Sequence, residues 1–334
     1  MIRHYRFFIL FVVAALIRVG YGCLINTCAY TGEVHNPLVQ AFGPFRAGAV
    51  QNIRALLPSP HSELLLGMLL GVDDLKNVPT FNDILKQTGT IHVVVVSGYN
   101  ISLVFEFIIL FFGNKFRIRN LIAALTGTFI YAAIAGLQPP VIRAWIMGSI
   151  ASVGKYTGRS LDALLLLIFS GACMIMINPA YMFSLSFQLS FLATLSLVVY
   201  APFTEKLVKK RNLFFSDLST TLAAQVLVWP LIAYKFDRLS FISPFVNALI
   251  LWTVPLATVL GGVTLVLSYF SDTAAYLSHL VYIPLDYFIS TTSLLAKLPF
   301  ASAELQVPVW ILISYYAGAL LVALKFNKSH AVKI

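Results

Sequence analysis

Lys86–Asn114 reads KQTGTIHVVVVSGYNISLVFEFIILFFGN, a stretch that starts polar and becomes an apolar run long enough to cross a bilayer as a helix. Inside it stand His92, Ser97, Gly98, Asn100 and Glu106. Lipid offers these polar atoms no partner, so they need protein groups or a water-filled space at membrane depth. Ser97 and Asn100 share one helix face, while Gly98, Ser102 and Glu106 form a neighbouring stripe at helical spacing. The stretch therefore predicts a spanning helix with a polar side turned into a bundle.

The rest of the chain is expected to supply that bundle. Hydrophobic residues make up 59% and charged residues 11% of the 334, against roughly 25% charge in a soluble domain. Mean hydropathy is +0.86. These values point to an all-α polytopic membrane protein. Phe7–Ile25 follows the basic head MIRHYR and is apolar apart from Arg18, so residues 1–25 are expected to form a retained transmembrane anchor. From residue 91 the apolar runs are Ile91–Phe112, Leu121–Gly136, Pro140–Val153, Leu161–Ile177, Met182–Ala201, Leu218–Tyr234, Phe241–Phe270, Ala275–Ala296 and Val307–Leu324. With the first span they predict about ten transmembrane segments, some short, broken or re-entrant at Pro and Gly.

Residues 26–90 contain no run long enough to span and read as an extracytoplasmic loop with interfacial amphipathic helices. Phe42–Leu57 places Phe45, Ala49, Ile53, Leu56 and Leu57 at helical spacing, and His61–Gly71 is apolar but short, hence interfacial or re-entrant. A helical membrane domain is expected over 91–324 and a basic tail over 325–334. The net charge of +10 falls on alternate connections: Lys115, Arg117 and Arg119, then Lys155 and Arg159, then Lys206, Lys209, Lys210 and Arg211, then Lys325, Lys328 and Lys333. That pattern places both termini in the cytoplasm and makes most of the charge topological. The segment Phe241–Phe270 is the ambiguous one, crossing or re-entering. Cys23 and Cys28 are close enough to form a small disulfide on an oxidising side, or stand as two thiols.

Polar motifs recur along the later runs. Gln138-Pro139-Pro140 suits a helix start, because the first amides need no intrahelical acceptor, and puts Arg143 in the first turn near the outer surface. A guanidinium there either snorkels or offers a fixed charge to phosphates. In SLSFQLSFLAT, Ser186, Ser190 and Thr194 form one stripe and Ser184 and Gln188 point elsewhere, so this helix belongs deep in the bundle or breaks. Pro230, Pro244, Pro255 and Asn247 predict interrupted helices beside a cavity. No P-loop, HxHxDH or CxxC motif occurs, so neither ATP hydrolysis nor a metal or other cofactor is expected.

Four segments together resemble the membrane domain of the ComEC competence family over about residues 44–270. They are Thr88-Gly89 with His92 and Ser97-Gly98; Arg143-Ala144 with Met147; Phe187-Gln188-Leu189-Ser190-Phe191; and Phe236 through Ser240 with Pro244 and Asn247. The resemblance implies an inner-membrane channel for transforming DNA entering as a single strand, with no catalytic residue. His92, Ser97, Gly98, Asn100, Arg143, Gln188, Ser190 and Asn247 would lie near the path. It also implies an outer DNA receptor, a separate nuclease and a cytoplasmic motor or helicase as partners, with membrane lipid around the bundle. Two departures stand out. The common S-G-L-H-I appears here as Ser97-Gly98-Tyr99-Asn100-Ile101, so position 100 acts by hydrogen bonding instead of ionisation. The OB-like and metallo-β-lactamase-like domains of many family members are not expected in this chain.

The residues themselves leave two other classes open. One is a small-solute or ion transporter coupled to protons through Glu106 and Asp286, and the other is an intramembrane hydrolase using Ser97 and His92.

Overall fold

The computed structural model describes residues 2–24, 37–112, 118–159, 161–208 and 213–330. Nearly all are helical. In chain order the helices are α1 (Ile2–Leu24), α2 (Pro37–Ala41), α3 (Gly43–Leu56), α4 (His61–Leu70), α5 (Pro79–Thr88), α6 (Ile91–Val94), α7 (Gly98–Phe112) and α8 (Ile118–Ile134). They continue as α9 (Pro139–Tyr156), α10 (Ala163–Ile177), α11 (Leu185–Val208), α12 (Leu213–Phe236), α13 (Ser243–Ile250), α14 (Thr253–Leu267), α15 (Thr273–Ala296) and α16 (Val309–His330). Two short strands, β1 (Arg238–Ser240) and β2 (Ser302–Glu304), pair antiparallel with Leu239 opposite Ala303.

Three stretches among the described residues are helical, long and apolar enough to cross a bilayer: Ile91–Phe112, Leu185–Thr204 and Phe215–Phe236. Several of the other expected spans are shorter apolar helices, among them Ile118–Ile134, Ala163–Ile177 and Val309–Ala323. The count of ten is thus not reached by length and composition. The run Phe241–Phe270 breaks at Leu251-Trp252 into α13 and α14. Cys23 is exposed near the end of α1, and Cys28 lies outside the described residues, as do Lys115 and Arg117.

The chain divides into two compact units. The first comprises Met1–Val78, Val93–Phe191 and Val254–Leu285. Here α7, α8 and α9 pack on one another, α10 packs on α9 and α1, and α3 packs on α4. Local chemistry fixes the ends of these helices. Asp162 caps α10 by accepting from the amides of Leu164 (2.8 Å) and Leu165 (3.0 Å). Gln138 occupies the N-cap of α9 with Pro139 and Pro140 behind it. Arg18, the charge inside α1, donates to the Met176 carbonyl at 3.0 Å, near the negative end of the α10 dipole.

The centre of this unit is α4. All ten of its residues, His61 to Leu70, are buried, so it does not lie on the surface as an interfacial helix would. At 1.5 Å per residue it is ~15 Å long, about half a hydrocarbon core. Gly67 and Gly261 allow the close packing. A Cβ on Gly67 would stand 2.6 Å from the Val94 carbonyl oxygen, and one on Gly261 would stand 2.5 Å from Leu65 Cδ1. At the other end His61 stacks on Tyr282, with ring centroids 4.2 Å apart.

The second unit comprises Pro79–His92, Leu192–Thr253 and Asp286–Ile334. In it α12 packs against α13, α16 and β1. Two devices open the α12 backbone. The Ser196 hydroxyl donates to the Ala223 carbonyl and accepts from the Leu227 amide (3.2 Å), so it stands inside the hydrogen bond these two groups would otherwise make. One turn later Pro230 has no amide to offer Val226. Tyr315 from α16 fills that need, donating to the Val226 carbonyl at 2.8 Å, and Tyr316 donates to Leu227 at 2.8 Å. Tyr315→Phe is therefore expected to cost about 1 kcal/mol of stability in the wild-type chain. In a Pro230→Ala background, where residue 230 regains its amide, the same change costs much less. A double-mutant cycle on thermal unfolding in detergent reads the coupling.

Candidate functional site

In the first unit, three of the sequence motifs meet at Arg143. Its Nε donates to Ser190 Oγ at 2.8 Å, one of its terminal nitrogens lies 3.8 Å from Met147 Sδ, and its guanidinium carbon is 6.0 Å from the centre of the Phe191 ring. Phe191 in turn stacks on Phe187 at 4.2 Å. The contact with Met147 follows from spacing on α9, whereas Ser190 and Phe191 come from the start of α11. Gly98, the first residue of α7, closes the third side. A Cβ there would be 2.9 Å from Ala144 Cβ and 3.6 Å from an Arg143 guanidinium nitrogen. Any larger residue would push the start of α7 away from Arg143. The first amides of α7 have no intrahelical acceptor, and the helix dipole adds partial positive charge at that end. A half-buried guanidinium and a helix N-terminus thus lie side by side, an arrangement suited to an anion.

Gln188 stands between Phe187 and Ser190 on α11, and its Nε2 donates to the Met182 carbonyl at 3.1 Å in the 3₁₀ turn that precedes α11. Ser97 immediately precedes α7, its carbonyl accepting from the Asn100 amide at 3.2 Å.

Asn100 points the other way, into α4. The last carbonyls of that helix have no intrahelical donors, and in a buried helix each must find one elsewhere. Four consecutive carbonyls do so through four different elements. Asn100 Nδ2 from α7 donates to Met68 (2.8 Å), the Tyr131 hydroxyl from α8 to Leu69 (3.1 Å), Arg46 from α3 to Leu70 (3.2 Å), and Gln138 Nε2 at the head of α9 to Gly71 (3.2 Å). Gly71 itself adopts the left-handed conformation that ends the helix (φ 62°), and its amide returns to Gly67. Arg46 also places a positive charge at the negative end of the α4 dipole. Burial lowers its guanidinium below the ordinary value. Asn100 is 1% exposed, and its amide helps to hold α4 in place. Asn100→Leu is expected to leave the Met68 carbonyl without a donor and cost about 1–3 kcal/mol, read as a lower unfolding midpoint.

In the second unit, Gly89 and the segment around Asn247 form a separate polar cluster. Gly89 has φ 69°, and a Cβ on it would stand 2.8 Å from Ser243 and 3.0 Å from Ser240. Ser243 Oγ accepts from Gln225 Nε2 (2.8 Å) and Asn247 Nδ2 (3.3 Å) and donates to the Gly89 carbonyl (3.4 Å). The carbonyl oxygens of Gln225 and Asn247, both buried, have no partner among the described residues. His92, three residues after Gly89, is exposed. Sequence reasoning singled out Asn247 and His92 but missed Gln225, which sits within an apolar helix and matches no motif.

Arg46, Tyr131 and Gln138 were also not among the candidate residues, although Gln138 ahead of two prolines marked a helix start. Among the described residues no three His, Cys, Asp or Glu side chains gather as a metal site.

Comparison with known proteins gives the family of the chain. The profile of the competence protein family matches residues 69–329, which contain Arg143, Ser190 and the cluster of Gly89, Gln225, Ser243 and Asn247. The chain is 32% identical over 140 residues to an uncharacterized protein of Aquifex aeolicus (strain VF5), covering 40% of this chain and 32% of that protein. It is 27% identical over 169 residues to ComE operon protein 3 of Bacillus subtilis (strain 168), covering 49% of this chain and 21% of that protein. The matched parts thus span about a third and a fifth of these relatives. No solved structure matches the chain. With a family match over most of its length, and with long apolar helices among the described residues, the chain is a membrane protein that belongs to the competence protein family.

Proposed function

We propose that this chain is an inner-membrane channel that passes single-stranded DNA into the cytoplasm during natural transformation. The observation that carries this reading is the meeting of three motifs at Arg143, in a chain of the competence family. A guanidinium offers planar donors to phosphate oxygens, and the adjacent start of α7 adds backbone amides of the same sign. One fixed cation suits transit better than a cluster, because a strand must leave each contact as readily as it enters. Backbone contacts of this kind carry no base preference. Within the first unit the Gln188 amide, with Ser97 and Gly98, would add neutral hydrogen-bonding groups, and within the second the Ser243–Asn247 cluster and His92 would do the same.

The reading has no place for bond chemistry in this chain. An outer DNA receptor, a separate nuclease and a cytoplasmic motor or helicase would supply capture, strand removal and energy. Its orientation keeps both termini in the cytoplasm. β1 follows α12, and β2 lies beyond α14 and α15 in sequence, so their pairing favours an even number of crossings between them. On that basis α13 and α14 form one broken span and α15 the next. Cysteine labelling from outside should then reach residue 304 but not residue 272.

The function is tested by deleting the gene in a competent host. Transformation should disappear, with labelled DNA still bound outside, and return when this chain is supplied. Unchanged transformation after deletion would overturn the reading.

A further inference from the structure

Within the first unit a groove of about 650 Å³ runs between α7, α8 and α9, away from Arg143. Its floor is aliphatic and aromatic, including Ile101, Phe105, Leu121 and Trp145. Its polar groups are of a different kind from those at Arg143. Glu106 enters from α7, Lys155 from the last turn of α9, and Arg159 from the turn that follows, all three exposed. Ser102, Ser149 and Ser152 line the same groove, and the Ser149 hydroxyl is buried without a partner among the described residues. Nor is a described cation within ion-pair distance of Glu106.

The spacing of these charges follows from the helix packing. Gly98 of α7 lies on Ala144 of α9, and both helices run down the groove in the same direction. At ~1.5 Å per residue, Glu106 stands ~12 Å and Lys155 ~16 Å along their axes. The carboxylate and the Lys155 cation thus lie within about one helical turn of each other along the groove, with apolar surface beside them. A carboxylate left alone in that position, within an apolar helix, is costly.

We infer that this groove binds an aminophospholipid, its phosphate on Lys155 and Arg159 and its primary ammonium on Glu106, with an acyl chain along Ile101 and Phe105. Basic groups between membrane helices suit a lipid phosphate. Glu106 decides the class of ligand. It repels a polyanionic strand and an anionic headgroup, and it neutralises an ammonium that can donate hydrogen bonds to it.

The test uses the full chain purified in detergent and native mass spectrometry of the lipids it retains from equimolar phosphatidylethanolamine, phosphatidylglycerol and phosphatidylcholine. Phosphatidylethanolamine is expected to be retained about five-fold over each of the others, the size of one modest charge contact. Phosphatidylcholine serves as the decisive arm, because its quaternary ammonium has charge but no N–H. Glu106→Gln should abolish the preference for phosphatidylethanolamine over phosphatidylglycerol while leaving the unfolding midpoint unchanged. Lys155→Gln with Arg159→Gln should lower retention of both. Equal retention of all three lipids by the wild-type chain would overturn the inference whatever the variants do. So would preference for phosphatidylglycerol, a second copy of the chain in place of lipid, or displacement of the lipid by a single-stranded oligonucleotide.

Discussion

Arg143→Ala is expected to lower transformation by ~10–100-fold while the protein remains folded and in the membrane. A charge-assisted contact with a phosphate is worth about 1.5–3 kcal/mol, and each 1.4 kcal/mol is roughly tenfold. The fold tolerates the loss because Arg143 is half-buried and its neighbours Met147, Phe187 and Phe191 can close over the gap. Arg143→Lys should recover little. A lysine cannot keep the bond to Ser190 Oγ and still present a planar fork of donors. Ser190→Ala, which removes the bond to Nε without removing the charge, should fall between wild type and Arg143→Ala. Transformation frequency, normalised to the amount of protein in the membrane, ranks the three. Normal uptake with Arg143→Ala would remove Arg143 from the path.

Gly67→Ala is expected to lower the unfolding midpoint by several degrees. Two effects oppose each other. Alanine in a helix interior is favoured over glycine by up to about 1 kcal/mol. The added methyl, however, would stand 2.6 Å from the Val94 carbonyl oxygen and 2.7 Å from its Cγ1. A backbone oxygen cannot rotate out of the way, so α4 must move, and overpacking costs about 1–3 kcal/mol. Movement of α4 also strains the four bonds that hold its carbonyl end. The clash should therefore win. Gly262→Ala provides the opposite sign, because nothing lies within 4 Å of a Cβ there and only the helix preference remains. Thermal unfolding of both variants in one detergent checks the pair, and equal midpoints would contradict the close packing of α4.

The helical membrane class was legible from composition, and most helices from runs of apolar residues. What was not legible came from partners distant in sequence. His61–Gly71 read as interfacial or re-entrant because it is too short to span. Its apolar character on every side was the sign of burial, but only the structure shows what surrounds it. The bond from the Asn100 amide to the backbone carbonyl of Met68, 32 residues away, could not be foreseen. Backbone carbonyls leave no trace in composition or spacing, so such bonds cannot be read from side-chain motifs. The same holds for Tyr315, whose partner is a carbonyl freed by Pro230 on another helix. The motifs around Arg143 were visible individually, because an arginine, a glycine and a serine are conspicuous in apolar runs. Their meeting depends on how α7, α9 and the start of α11 pack, which apolar periodicity alone does not specify.

The central claim is that the incoming strand passes Arg143. A photoreactive amino acid placed at Met147, beside Arg143, tests it against the same group at Leu110, which is 81% exposed on α7. Competent cells would take up DNA carrying a bulky terminal block that stalls it in transit, and then be illuminated. Capture of single-stranded DNA at position 147 and not at position 110 is the predicted result. Stalled uptake with no capture at 147, or with equal capture at 110, would contradict it.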